Sequence, residues 1–222
     1  MSETTISVQG KGAIHVVPNV TRLEITIERV FPDYQKAFAQ AKENSSWIVK
    51  ILEFNKKPGK LAKTVKFDIC DHEVSDYDSL GHYTSSHLEG YELEQRIKID
   101  LPIDNVLTNN IVRGVGKFIP GVQINIGYTV QDPRPHQLKM LARGVKDAKE
   151  KAEIMAEAAG CSLGKLIKIN YHYSNVSVYS QARNIHDSKE AFASTADSLD
   201  ITPDDLVMSD TVDVTFELVN PG

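Results

Sequence analysis

Residues 91–101 read YELEQRIKIDL. Tyr91, Leu93, Ile97, Ile99 and Leu101 alternate there with Glu92, Glu94, Arg96, Lys98 and Asp100. Successive side chains of an extended chain point to opposite faces, so a strand with one face on a core and the other in water selects this period. The pattern recurs to either side. Leu23, Ile25 and Ile27 alternate with Arg22, Glu24, Thr26 and Glu28, and Val65, Phe67 and Ile69 with Lys66 and Asp68. Further on come Val122, Ile124, Ile126, Tyr128 and Val130, then Ile167, Ile169, Tyr171 and Tyr173, and finally Val212, Val214, Phe216 and Leu218. Strands wet on one face are typical of antiparallel sheets.

Helical period appears between these strands. The strongest stretch runs from about Arg134 to Ala159, with Leu138, Leu141, Ala142, Val145, Ala148, Ala152, Met155, Ala156 and Ala159 on one stripe. Asp132, Pro133 and Pro135 suit its start, and Gly160 suits a left-handed stop. A second helix is expected over Asp33–Phe54, with Tyr34, Ala37, Ala41, Ile48, Ile51 and Leu52 inward. A third, short one is expected over Asp104–Phe118, weakened by Gly114 and Gly116. From residue 20 to 130 the order is strand, helix, strand, strand, helix, strand, the split βαβ arrangement that stacks helices on one face of an antiparallel sheet. The fold class is therefore α+β, an antiparallel sheet or sheets packed by two to three helices, one of them long. No composition break divides residues 1–222, so a single unit is expected, with a bilobed form as the alternative. Residues 181–205, rich in Ser, Asp, Asn and Ala, are expected to form a long excursion, mobile or partly helical.

The 222 residues, 41% of them hydrophobic, can bury a core without covalent staples. A net charge of −5 argues against capture of phosphate backbones, so nucleic acid is not an expected partner. No run approaches the ~20 apolar residues of a membrane helix. Two distant cysteines, Cys70 and Cys161, make no disulfide framework, and the opening MSETTISVQGKG lacks the features of a secretory signal. A cytoplasmic location is the expectation, with periplasm or cell envelope the alternative if a leader has been removed.

Chemistry-bearing residues concentrate in 70–89, CDHEVSDYDSLGHYTSSHLE, which holds Cys70, His72, His82, His87 and several carboxylates. A metal site is the sharpest hypothesis there. The spacing matches no zinc signature, however, and a polar loop joining two strands accounts for the composition. No G-x-S-x-G elbow is present to support a serine nucleophile. Cys161 follows a helix C-terminus, where the partial negative charge disfavours a thiolate, and reads as a small core residue. Cys70, two residues from His72 on a strand, reads as a structural thiol near a strand end. Gly10, Lys11 and Gly12 lack the Walker spacing and read as a turn between short strands. Lys139, Arg143, Lys146, Lys149 and Lys151 are interleaved with Asp147, Glu150 and Glu153, the pattern of a solvated helix face. No catalytic, cofactor-binding or metal-ligating residue is assigned, and no cofactor is expected.

Three stretches together carry a family resemblance. The first is ISVQGKGAIHVVPNVTRLEITI (6–27), and the third is the ending ITPDDLVMSDTVDVTFEL (201–218). Between them, DAKEKAEIMAEAAGCSLGKLIKI (147–169) places Asp147, Ala148, Lys151, Ala152, Ala156, Gly160, Leu163 and Gly164 in an A-x-x-x-A/D-A-x-x-K-A…G…LG pattern. The chain resembles the SIMPL-domain family, a widespread bacterial group of unknown function, over nearly its whole length. The resemblance implies an α+β fold and supplies no catalytic residues, because the matched positions are glycines, alanines and strand residues. It also implies export to the cell envelope for many members and larger assemblies for some. The missing export signal departs from the first of these.

The leading expectation is a non-enzymatic structural or interaction protein that self-associates as a homo-oligomer, since open sheet edges invite pairing with a second copy. A protein partner is a further candidate. The alternative is a module that binds a ligand or protein through loops 72–89 and 181–205. A metal-dependent hydrolase built on the histidine-rich segment ranks below both.

Overall fold

The period-two stretches form strands, and a computed structural model arranges them in two antiparallel sheets. It describes residues 4–171, 179–185 and 202–219, with 181–185 described by backbone alone. In chain order the elements are β1 (Thr5–Val16), β2 (Val20–Phe31), α1 (Tyr34–Phe54), β3 (Ala62–Tyr77) and β4 (Tyr83–Pro102). There follow α2 (Asn105–Phe118), β5 (Val122–Thr129), α3 (Arg134–Ala158), β6 (Ser162–Asn170), β7 (Ser180–Ile185) and β8 (Leu206–Val219). The backbone divides into two compact units, one of Met1–Pro18, Val130–Tyr179 and Asp204–Gly222, the other of Asn19–Thr129 and Ser180–Pro203.

The second unit carries a five-stranded sheet in the order β3-β4-β2-β5-β7, every neighbour antiparallel. Because β4 lies between β2 and β3, this is the split βαβ arrangement that the sequence order predicts. Leu23, Ile25 and Ile27 of β2, Ile97, Ile99 and Leu101 of β4, and Ile124 and Ile126 of β5 are buried against Ile48, Ile51 and Leu52 of α1 and Ile111, Val112 and Val115 of α2. Each such side chain contributes about 1.5–3 kcal/mol on leaving water. Both helices start where the sequence says they should. Asp33 Oδ1 accepts from Lys36 N at 2.8 Å, and Asp104 Oδ1 accepts from Leu107 N at 2.9 Å.

One inward position of β4 is polar. Gln95, 2% exposed, donates to Ser45 Oγ at 2.9 Å and to Ala41 O at 3.3 Å, and Asn44 Nδ2 reaches its Oε1 at 3.5 Å. A buried amide is costly unless satisfied, so this network holds α1 at one register over β4. On β3 the expected inward trio is only partly covered. Val65 and Phe67 are exposed and Ile69 half-buried, because β3 is an edge strand whose register shifts between Thr64 and Lys66. Phe67 instead meets Phe38 edge-to-face at 6.2 Å.

The first unit is a three-stranded sheet, β1-β8-β6, with α3 across it. The glycines Gly10 and Gly12 do not mark a turn. β1 runs through them without interruption, paired to β8 from Thr5↔Glu217 to Val16↔Leu206. A Cβ on Gly10 would stand 2.0 Å from Gly144 O, and one on Gly12 would stand 2.0 Å from Met140 O. Backbone therefore lies directly against backbone. The face of α3 that meets the sheet is accordingly small: Gly144, Ala148, Ala152 and Ala156 are buried with Met140, whereas Leu138, Ile154 and Met155 are exposed. Of the expected stripe, Ala148, Ala152 and Ala156 are buried but Leu138 and Met155 are not, because so close a seat favours short side chains. α3 ends as its sequence predicts. Gly160 adopts φ +71°, its N–H bonds to Glu157 O, and Cys161 N–H bonds to Ala156 O.

β6 is less covered than its alternation implies, with Ile167 and Ile169 exposed, and Tyr173 lies outside the described residues. Within the excursion expected at 181–205, residues 181–185 belong to β7, which pairs with β5, and 186–201 lie outside the described residues. Among the described residues no helix is long and apolar enough to cross a membrane.

The seat of α3 sets a direct test. Replacing Gly12 with Ala is expected to destabilise the first unit by about 3 kcal/mol or more, since backbone rather than a movable side chain occupies the Cβ position. Urea denaturation followed by circular dichroism would register a lower midpoint; an unchanged midpoint would contradict this packing.

Candidate functional site

The histidine-rich segment is not a loop. β3 and β4 continue through it as a paired ribbon, from His72↔Gly90 to Tyr77↔Tyr83, leaving only residues 78–82 as a turn. β4 gains its second neighbour, β2, only from Tyr91, opposite Phe31. Among the described residues the ribbon of 72–77 and 83–90 therefore has two strands and no covering helix, and at ~3.3 Å per residue its eight-residue β4 limb extends about 25 Å. Gly90 sits at its base, where a Cβ would stand 2.4 Å from Phe31 O.

The turn is held by Asp78. Its Oδ1 accepts from Leu80 N at 2.8 Å and from His82 N at 2.9 Å, and Gly81 takes φ +82°. Tyr77 and Tyr83 face each other edge-on at 6.4 Å just before it. Leu80 is 80% exposed at the tip, and Tyr77, Tyr83 and Leu88 are exposed along the limbs.

Each histidine has its own carboxylate. His87 Nδ1 lies 3.0 Å from Asp76 Oδ2, His82 Nδ1 lies 3.2 Å from Asp78 Oδ2, and His72 Nε2 lies 3.4 Å from Glu89 Oε2. Ser85 Oγ donates to Asp76 Oδ2 at 2.9 Å, so a carboxylate stands between the hydroxyl and the imidazole. A nucleophilic triad needs the imidazole in that middle place, as base to the hydroxyl. Among the described residues no three His, Cys, Asp or Glu side chains converge to hold a metal ion. Cys70 is exposed in mid-strand rather than sheltered near a strand end, and Cys161 is half-buried rather than a core residue. The sequence segment thus places three histidines on one ribbon without bringing them to one point.

Arg143, Asp147 and Lys151 do more than face solvent. Asp147 Oδ2 accepts from Lys11 N at 2.7 Å, Arg143 Nη1 donates to Ala13 O at 2.8 Å, and Lys151 Nζ donates to Gln9 O at 3.3 Å. These are edge groups of β1 not used by β8. Lys151, also bonded to Asp147, and the Lys11 amide together hold the Asp147 carboxyl below its ordinary value.

Sequence reasoning missed a second feature of the other unit, a cavity of about 530 Å³ between α1 and α2. Trp47 and Phe118 stack beside it with ring centroids 4.5 Å apart and planes 8° from parallel. Lys50 Nζ lies 4.7 Å over the Trp47 ring, and Lys117 Nζ lies 5.3 Å over Phe118. Ile51 and Gly114 form its inner wall and Arg113 adds a third cation. The available signal was Trp47 four residues before Ile51, with Gly114 facing it from the next helix.

The ribbon turn has a defined acid response. Hydrogen bonds from the His82 and Leu80 amides hold the Asp78 carboxyl below its ordinary 3.8, and those from His87 and then Ser85 do the same for Asp76. A lowered folded value means that these contacts are complete above 3.8 and are lost as pH falls through the lowered value. Amide hydrogen exchange at Leu80 and His82 is therefore expected to rise in Asp78→Ala at neutral pH, and in the unaltered chain only below that range. Equal protection in Asp78→Ala would show that the turn does not depend on this carboxylate.

The sequence matches a family model, SIMPL, a protein of unknown function (DUF541), over residues 6–216, from the second residue of β1 into β8. No curated protein matches it. The matched span includes the glycines of β1, the small-residue face of α3 and the Gly160 stop, whose packing roles are described above, and the chain belongs to the SIMPL family.

Proposed function

We propose that this chain is a non-enzymatic structural or interaction protein that self-associates, using the ribbon between β3 and β4 as the contact it makes with a second copy. The ribbon carries this reading. Two strands alone are marginally stable in water, and this pair bears Tyr77, Leu80, Tyr83 and Leu88 with their apolar surface open to solvent. Docking on another chain covers those side chains and supports the ribbon at once. The route through exposed sheet edges is narrower than the sequence suggests, since α3 already occupies the β1 edge between Gln9 and Ala13. In the alternative, a module that binds a ligand or protein through 72–89 and 181–205, the first segment would act as a ribbon with a turn at 78–82 rather than as a loop.

Native mass spectrometry of the untagged chain is expected to show a discrete multimer of bare protein. Leu80→Lys combined with Tyr83→Lys should shift it to smaller species while leaving the circular dichroism spectrum intact. An unaltered chain that stays monomeric at high concentration refutes self-association. A double variant that assembles as well as the parent refutes the ribbon as the contact.

A further inference from the structure

The cavity between α1 and α2 has the chemistry of a binding site for a small anion. Its lining holds three cations, Lys50, Arg113 and Lys117, and no acid. Among the described residues no carboxylate comes within ion-pair distance of Lys50, Arg113 or Lys117. Arg113 and Lys117 are themselves one turn apart on α2, a like-charge spacing that weakens a helix unless an anion answers it. The nearby acid, Glu43, accepts from Trp47 Nε1 at 3.4 Å and is not part of the lining. In a protein of net charge −5, three cations without an acid partner around one apolar slot form a local positive field, although Lys50 and Lys117 also lie over the Trp47 and Phe118 rings.

The apolar part of the site has a stated shape. Ile51, 6% exposed, closes its inner wall, packed directly against the backbone of Gly114, where a Cβ would stand 2.9 Å from Ile51 Cγ2. Phe54, 88% exposed, stands at the rim with no burial of its own. Asn55 and Asn110 add polar groups at the edge. The volume falls in the range of small-molecule sites, about 300–1,000 Å³, which combine an apolar lining with a few placed polar groups.

We propose that this cavity binds a small carboxylate with an aromatic body, the ring lying against Ile51, Gly114 and Phe54 and the carboxylate facing Arg113, Lys50 and Lys117. Arg113 offers the planar fork that matches a carboxylate, and the two ammonium groups add charge from either side. The site is independent of the ribbon and of self-association.

The protein's single tryptophan, Trp47, lines the cavity, so its emission is a built-in reporter. Titration of the full chain with 4-phenylbutyrate is expected to change Trp47 emission saturably, with a Kd on the order of 0.1–1 mM for a ligand of this size. Lys50→Gln with Arg113→Gln should weaken binding about tenfold or more at unchanged circular dichroism, while Arg113→Lys keeps part of it. The neutral analogue 4-phenylbutanol should bind about tenfold more weakly than the acid, and added salt should narrow that gap. No saturable change up to about 10 mM, a value far above that range, overturns the proposal. So does equal binding of the alcohol, or binding indifferent to the double Gln variant. An acidic amphipathic peptide that binds where phenylbutyrate does not would overturn the small-molecule assignment in favour of a protein partner.

Discussion

The first unit depends on how near α3 comes to β1. Gly10 and Gly12 present bare backbone to the carbonyls of Gly144 and Met140, with no room for a methyl group between them. That distance decides which residues α3 can bury, and it turns an alanine-rich helix into a packing surface. It also brings Arg143, Asp147 and Lys151 within reach of the β1 edge, where they satisfy two carbonyls and an amide left over from pairing with β8. Close approach and edge protection are thus one constraint, because a helix held a side chain farther away could not place these groups on the strand.

The second unit is governed differently. Its helices stand off the sheet on full-sized side chains, Leu, Ile and Val on both surfaces, and their register is set by the buried amides of Gln95 and Asn44 rather than by glycine contacts. Packing of that kind leaves the cationic cavity between α1 and α2, with Ile51 packed on the Gly114 backbone as part of its wall. The sheet also outruns its helices. Beyond Gly90 the β3–β4 pair continues, among the described residues, without third strand or cover, so the ribbon has much to gain from another surface.

Much of this was legible in sequence. Alternation at 22–28, 91–101 and 122–130 identifies the central strands because each has one dry and one wet face, and Asp33, Asp104 and Gly160 mark helix ends through local hydrogen bonds and backbone conformation. The ribbon was not legible, since a two-stranded segment wet on both faces has no core to select alternation, and its His, Ser and Asp residues resemble a loop. The face of α3 was legible only in part: Ala148, Ala152 and Ala156 stood on the expected stripe, but hydrophobic periodicity also placed Leu138 and Met155 there and passed over Gly144, whereas the close seat on β1 selects for small size. The cavity escaped because Trp47, Lys50, Arg113 and Lys117 lie on two helices separated by two strands, and only the tertiary fold brings them together.

The strand order of the smaller sheet bears on the timing of folding. β1 and β6 do not pair with each other; each pairs with β8, which lies between them. β8 is the last of the described strands, whereas β2, β3, β4 and β5 of the other sheet are complete by Thr129. During synthesis the larger unit can assemble most of its core while the first strand waits for a partner 190 to 212 residues away, as the Val16↔Leu206 and Thr5↔Glu217 pairs span. Closure at such sequence separation is slow. In that interval the glycine-bearing strand is an unpaired β-segment, and α3, made well before β8, is the element on hand to shield it.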